Sequence, residues 1–327
     1  MRPFDAVLLI SFGGPQGMDD IRPFLANVLR GRPVPPARVD EVAHHYELFG
    51  GVSPITAFTQ RQAEGLQARL ARSGAPLPVF VGMRNWHPFL HDTLRDMSKA
   101  GVRRAIGFIM AAQASYSSCQ QYRENVRDAR RVVRDAGLAD IEMTYVPGWH
   151  LHEGFIRANA AHVRAALETL PADRQAGARL ICTAHSIPTR MAEQSTYREQ
   201  LEESARAVAQ CAGIGDWTLV YQSRSGRPQD PWLGPDVCDY LREAAANGLP
   251  AAVLCPIGFV CDHIEVLYDL DQEAAAVAQS AGLPLVRAAA ANDDPLFLDM
   301  MADVVLSTLQ RYSTGRALPL AELMRAG

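Results

Sequence analysis

Short apolar runs recur along this chain, and between them lie longer stretches whose apolar positions repeat every three to four residues. The runs are DAVLLIS (5–11), LPVFVG (77–82), RAIGFIMA (104–111), IEMTYV (141–146), ARLICTA (178–184), WTLVYQ (217–222), AAVLCPIG (251–258) and LPLVRA (283–288). Most show little alternation of apolar and polar positions, as expected of strands covered on both faces. Stretches such as TQRQAEGLQARLARSG (59–74) and YREQLEESARAVAQCAG (197–213) have the helical period, and the second closes on Gly213, a natural helix stop.

Strands alternating with helices predict parallel sheets joined by right-handed crossovers. The first four runs match the last four in length and spacing. The chain is therefore expected to be α/β, with two doubly wound, Rossmann-like domains on parallel four-stranded sheets. The predicted division is 1–150 and 151–294. A closing segment, 295–327, carries the helix PLFLDMMADVVLSTLQRY (295–312), which returns to the domain junction.

Composition narrows the picture. A length of 327 residues suits two domains, and 48% apolar residues are enough for an ordinary core. The formal net charge of -4 offers no basic field for nucleic acid. No pair among Cys119, Cys182, Cys211, Cys238, Cys255 and Cys261 has C-x-x-C spacing. Several sit in apolar runs and read as buried free thiols of a reducing compartment. The run AVLLI near the N-terminus is too short for a signal peptide, and nothing approaches the roughly 18 apolar residues of a membrane span. A cytoplasmic protein without membrane insertion is expected.

In doubly wound folds ligands gather beyond the carboxyl ends of the strands. His185, just past ARLICTA, is a base or metal ligand by that rule, or else a structural histidine. In GFVCDHIEVLYDLDQEAAAVA (258–278), Asp262, Glu265, Asp269 and Glu273 fall on one helical face. A capping box would account for Asp262 and Glu265, but not for Asp269 or Glu273. Arg30, Arg32, His45, Tyr46 and Ser53, within FLANVLRGRPVPPARVDEVAHHYELFGGVSPI (24–55), could hold carboxylates or form a solvated loop. The hydroxyls of QASYSSCQQYRENV (113–126), Tyr122 among them, suit polar ligand groups or helix capping. SFGGPQG (11–17) lacks the features of a phosphate loop, and His185-Ser186 is not a nucleophile elbow.

Together LLISFGGP, HYELFGGVSPI, RNWHPF, SYSSCQQYREN, TAHSIP, YQSRSGRPQDPWLGPDV and GFVCDHIEVLYDLD resemble the ferrochelatase family, and more closely its actinobacterial-type coproporphyrin branch. The resemblance runs in order through nearly the whole chain. It implies the two-domain chelatase fold, with His185 and Glu265 as the metal-site pair. Ser53 and Tyr122 match positions that hold porphyrin propionates, and Arg30 and Arg32 match basic residues near them. Asp269 and Glu273 match an acidic continuation that relays protons or metal. Which of His185 and Glu265 handles metal and which handles protons stays open.

Phe12 stands where many coproporphyrin-type members carry a tyrosine, so a tyrosine ligand to product haem is unavailable there. The tail after Cys261 has no cysteine, so the iron–sulfur cluster of some relatives is not expected. The expected function is insertion of Fe²⁺ into coproporphyrin III to give coproheme, by a monomer with no permanently bound cofactor. Arg30, Arg32, His45 and Ser53 offer more anchoring than a two-propionate substrate needs. The alternatives are protoporphyrin IX with haem b as product, and a non-catalytic tetrapyrrole carrier.

Overall fold

The computed structural model describes residues 3–31, 34–225 and 229–313. All eight apolar runs form strands. In the first sheet are β1 (Ala6–Ser11), β2 (Val79–Met83), β3 (Arg104–Ile109) and β4 (Glu142–Tyr145), in the order β2-β1-β3-β4. The second holds β5 (Ala178–His185), β6 (Trp217–Gln222), β7 (Ala251–Cys255) and β8 (Leu285–Arg287), in the matching order β6-β5-β7-β8. Every pairing is parallel.

The first half carries α1 (Ile21–Val28), α2 (Pro36–Glu47), α3 (Ile55–Arg72), α4 (Leu90–Lys99) and α5 (Gln121–Asp135). The second half begins with α6 (Glu153–Leu167), α7 (Ala172–Gln175), α8 (Thr189–Glu193) and α9 (Tyr197–Ala212). It ends with α10 (Val237–Ala246), α11 (Ile264–Tyr268), α12 (Ala275–Ser280) and α13 (Pro295–Ser313). Two wide π turns interrupt the pattern, at Tyr116–Gln120 before α5 and at Asp269–Ala274 between α11 and α12.

Burial explains why the strands lack alternation. Val7 and Leu9 of β1 enter a central core, while Ala6, Leu8 and Ile10 enter a second core with Leu94, Val126 and Val133. In the other sheet Leu180, Cys182, Val253 and Cys255 join the central core, and Ile181, Ala252 and Leu254 face Leu241 and Val266. Both faces are therefore dry, and each buried Leu or Ile contributes roughly 1.5–3 kcal/mol.

The central core is continuous from one sheet to the other and includes Leu66 of α3, Phe155 of α6, and Phe297 and Val305 of α13. Helix α13 packs on both α3 and α6. The ion pairs Arg61–Asp293 (2.6 Å) and Arg69–Asp299 pin α3 to the start of that helix. No helix among the described residues is long and apolar enough to cross a membrane. Each sheet changes winding direction between its two central strands, β1 and β3 in one, β5 and β7 in the other. The crevices beyond these switch points are the natural ligand sites.

Candidate active site

His185 is the last residue of β5, paired with Gln222 of β6, and so stands at the mouth of the second crevice. The loop after β7 reaches it through a close approach. A Cβ on Gly258 would lie 2.5 Å from the Cβ of Ala184, and the Gly258 N–H donates to the Thr183 carbonyl at 3.0 Å. Only glycine lets this loop cross the end of β5 and carry residues 259–265 back to His185.

There the His185 Nε2 and a Glu265 carboxylate oxygen stand 3.7 Å apart, each side chain 35% exposed. That gap is too long for a hydrogen bond, which leaves both groups able to take a third partner. His185 Nδ1 contacts the Ser186 carbonyl at 2.5 Å. If Nδ1 carries the proton there, the Nε2 lone pair is aimed at the crevice. The Tyr197 hydroxyl donates to the His185 carbonyl at 3.0 Å and holds the strand end.

A second imidazole completes the site, one that the sequence reading did not single out. His263 Nε2 lies 3.9 Å from the same Glu265 oxygen, in a side chain only 15% exposed. Burial alone would raise the Glu265 carboxyl, but the neighbouring His263 and His185 overcome it and hold the group at about 2. Burial disfavours a charged His263, yet Glu265 reverses that, and the net shift of the imidazole is upward. The D-H-x-E spacing of Asp262 to Glu265 was the available signal, since a histidine two residues before an acid at a helix start can turn back toward it.

The acidic stripe is present from Glu265 onward. In an α-helix a step of four residues overshoots a full turn by about 40°. The i→i+5 turn at Asp269–Ala274 undershoots instead. Switching from one to the other cancels the drift and keeps Glu265, Asp269 and Glu273 nearly in line. Asp262 is not part of this line, and no capping box forms. The N-cap is His263, with no side-chain cap bond, and Asp262 turns away to Arg287 at 2.8 Å.

Asp269 accepts from Gln222 Nε2 at 3.2 Å and from the Ser223 hydroxyl. Burial raises its pKa to about 7, the Ser223 bond opposes the rise, and the charges of Glu265 and Glu273 add to it. Glu273 is shifted up as well, by burial and then by Asp236. Beyond them opens a cavity of about 490 Å³ lined by Gln222, Ser223, Asp236, Arg242, Asp269 and Glu273 among others.

A folded-state pKa above the unfolded value means stability that is complete below about pH 4 and lost as pH rises through about 7. Asp269→Asn should abolish that loss. In metal-free protein it should match wild type near pH 4 and exceed it near pH 8, on the order of 2 kcal/mol after discounting for solvent. Urea denaturation at the two pH values checks this, and equal midpoints at pH 8 would remove the shift.

The facing wall belongs to the first domain. Ser53 is buried beside the strand-end loop after β1, where a Cβ on Gly14 would meet the Ser53 Cβ at 2.5 Å. The Tyr122 hydroxyl is buried, within electrostatic reach of Glu265, and its acidity is suppressed chiefly by that burial. Arg84, which the sequence reading missed within RNWHPF, stacks 5.6 Å from the Tyr122 ring and 5.9 Å from Phe12.

Tyr46 is buried, its hydroxyl in reach of Glu265 and Asp269. His45 lies flat on Tyr268, with ring centroids 3.6 Å apart, and burial followed by the Arg38 charge lowers its pKa. It therefore borders the acidic stripe through Tyr268. Arg30 is exposed at the end of α1 and donates to the Asn27 side chain at 2.7 Å. Arg32 lies outside the described residues.

Comparison with known proteins bears on this site. The chain is 46% identical to a ferrochelatase of Rhodopirellula baltica, over 97% of this chain and 89% of that one. It is 45% identical to a coproporphyrin III ferrochelatase of Streptomyces griseus, over 96% and 87%. Among solved structures, SirB from Bacillus subtilis with Fe³⁺ superposes with a TM-score of 0.60 at 11% identity, covering 96% of this chain and 98% of that one, a likeness of fold alone. The Ferrochelatase family model matches residues 4–309, a span that holds both sheets, both crevices and the His185–Glu265 pair, and the chain belongs to the ferrochelatase family of metal chelatases.

Proposed function

We propose that this chain inserts Fe²⁺ into coproporphyrin III to give coproheme. The observation that carries the reaction is the opposed pair, His185 Nε2 and Glu265 at 3.7 Å, with Glu265 ionised and about a third of each side chain exposed. Support for the substrate comes from a relative at 45% identity that bears that name.

A porphyrin nitrogen shields its lone pair behind a flat ring and its N–H protons. A bent macrocycle exposes them to one face, and binding energy at the ring's periphery can supply the strain. In this reading Ser53, Tyr122, Arg30 and Arg32 hold propionates. His185 Nε2 takes the pyrrole protons as they leave. The Glu265 carboxylate meets the incoming Fe²⁺, and its low pKa keeps it charged throughout the neutral range. Asp269, titrating near 7, can accept and release a proton at little cost at physiological pH. The cavity beyond Glu273 lies on the side from which a hydrated cation would meet carboxylates first.

The experiment is an anaerobic assay with Fe²⁺ and either porphyrin. Coproporphyrin III should be preferred over protoporphyrin IX, which has two propionates fewer. Preference for protoporphyrin IX would replace the substrate, and absence of turnover on both would favour a tetrapyrrole carrier. Arg30 is exposed, so its bond to a propionate is screened. Arg30→Ala should lower kcat/KM for coproporphyrin III by about five-fold, or about 1 kcal/mol, and leave protoporphyrin IX nearly unchanged. Equal losses on both would take Arg30 out of specificity. The reading also has the chain working without an iron–sulfur cluster, so anaerobically purified protein should contain no acid-labile sulfide. Stoichiometric sulfide would refute this part.

A further inference from the structure

The wide turn at Asp269–Ala274 is an uncommon conformation, and something must hold it open against the ordinary α-helix. One side of it presents Asp269 and Glu273 to the cavity. Asp271, two residues on from Asp269, points to the opposite side and meets Arg287 at the end of β8. The guanidinium forks onto both Asp271 oxygens, Nε donating at 2.5 Å and Nη2 at 2.9 Å. Its remaining arm, Nη1, donates to Asp262 at 2.8 Å. One side chain thus bridges a residue just before Glu265 and a residue in the wide turn after it.

Asp262 is itself locked. Asn292 donates from Nδ2 to the second Asp262 oxygen at 2.9 Å, and its Oδ1 accepts the Asp262 N–H at 2.8 Å. Asn292 adopts φ 48°, a left-handed conformation that asparagine tolerates. The Asn292 carbonyl accepts from Gln62 of α3 at 2.6 Å, which ties the assembly to the first domain. Arg287 and Asp262 are mostly buried, with side-chain exposures of 16% and 12%. Such a fork is directional and charge-assisted, so the segment 262–271 cannot rotate about its axis without breaking it.

We propose that Arg287 is a positioning residue for metal insertion, which sets the place of Glu265 opposite His185 and keeps Asp269 and Glu273 in line behind it by holding the wide turn open from the back. This rests on the function proposed above. The propionate-holding wall of Ser53 and Tyr122 lies on the first domain and does not depend on this fork. The metal side of the reaction should therefore respond and the porphyrin side should not.

The test uses the full chain and the variants Arg287→Lys, which keeps the charge and loses the fork, and Asp271→Asn, which keeps the Arg287–Asp262 pair. Each should raise KM for Fe²⁺ about 10- to 100-fold, the usual scale for residues that orient metal-binding groups, with KM for the porphyrin nearly unchanged. Because both changes break one fork, the double variant should be no worse than the weaker single variant. A second readout needs no turnover. Hydrogen exchange of amides 270–275 in metal-free protein should speed up in Arg287→Lys, while that of β5 stays slow. Unchanged exchange in that segment, an unchanged KM for Fe²⁺ alongside lowered thermal stability, or additive effects of the two substitutions would each overturn the proposal. Wild-type chain that exchanges as described but inserts no iron would instead remove the functional reading.

Discussion

His185→Ala should lose nearly all iron insertion, about 10²- to 10⁴-fold in kcat, while the protein remains folded. The loss is large because the imidazole supplies a lone pair at the end of β5, and the other imidazole of the site, His263, is drawn toward its charged form by Glu265. The fold should survive because the side chain is 35% exposed, and among the described residues its ring hydrogen-bonds to the carbonyl of its own neighbour, Ser186, and faces Glu265. The Tyr197 bond goes to the His185 backbone and is untouched by the substitution. Anaerobic turnover with Fe²⁺, alongside a thermal melt, checks both halves. A folded variant with wild-type turnover would end the assignment of His185 as the proton acceptor.

The second large effect is expected at Glu265. Glu265→Gln keeps the shape and removes the charge, and should cost about 10²-fold or more in kcat/KM for Fe²⁺. Its stability cost should be small and depend on pH. The folded pKa is depressed to about 2, so the carboxylate contributes stability above its unfolded value of 4.5 that is lost as pH falls toward 2. A third of the side chain is exposed, so the contribution is screened to about 1 kcal/mol at pH 7. Denaturation at pH 7 and pH 3 should show the gap between variant and wild type closing at the lower pH. Turnover kept near wild type, with only stability reduced, would reduce Glu265 to a structural charge.

Much of this molecule is written in local pattern. The strands were legible because a strand dry on both faces is an uninterrupted apolar run, and Val7, Leu8, Leu9 and Ile10 of β1 serve two cores at once. His185 was legible because a histidine immediately after such a run stands at a strand end, and Glu265, Asp269 and Glu273 because steps of four mark one helical face. Other features belong to the tertiary structure alone. Asp262 reads as a helix cap in its own segment, and only the chain's return along β8 brings Arg287 to claim it. The wide turn at Asp269–Ala274 has no local signature, since α and π hydrogen bonding compete over the same residues. Its outcome coincides here with a fork from a strand that pairs with β7. His263 and Arg84 were passed over for the same reason. A side chain's partner across the crevice depends on how closely two loops approach, and that distance is set by contacts such as Gly258 on Ala184, between residues far apart in sequence.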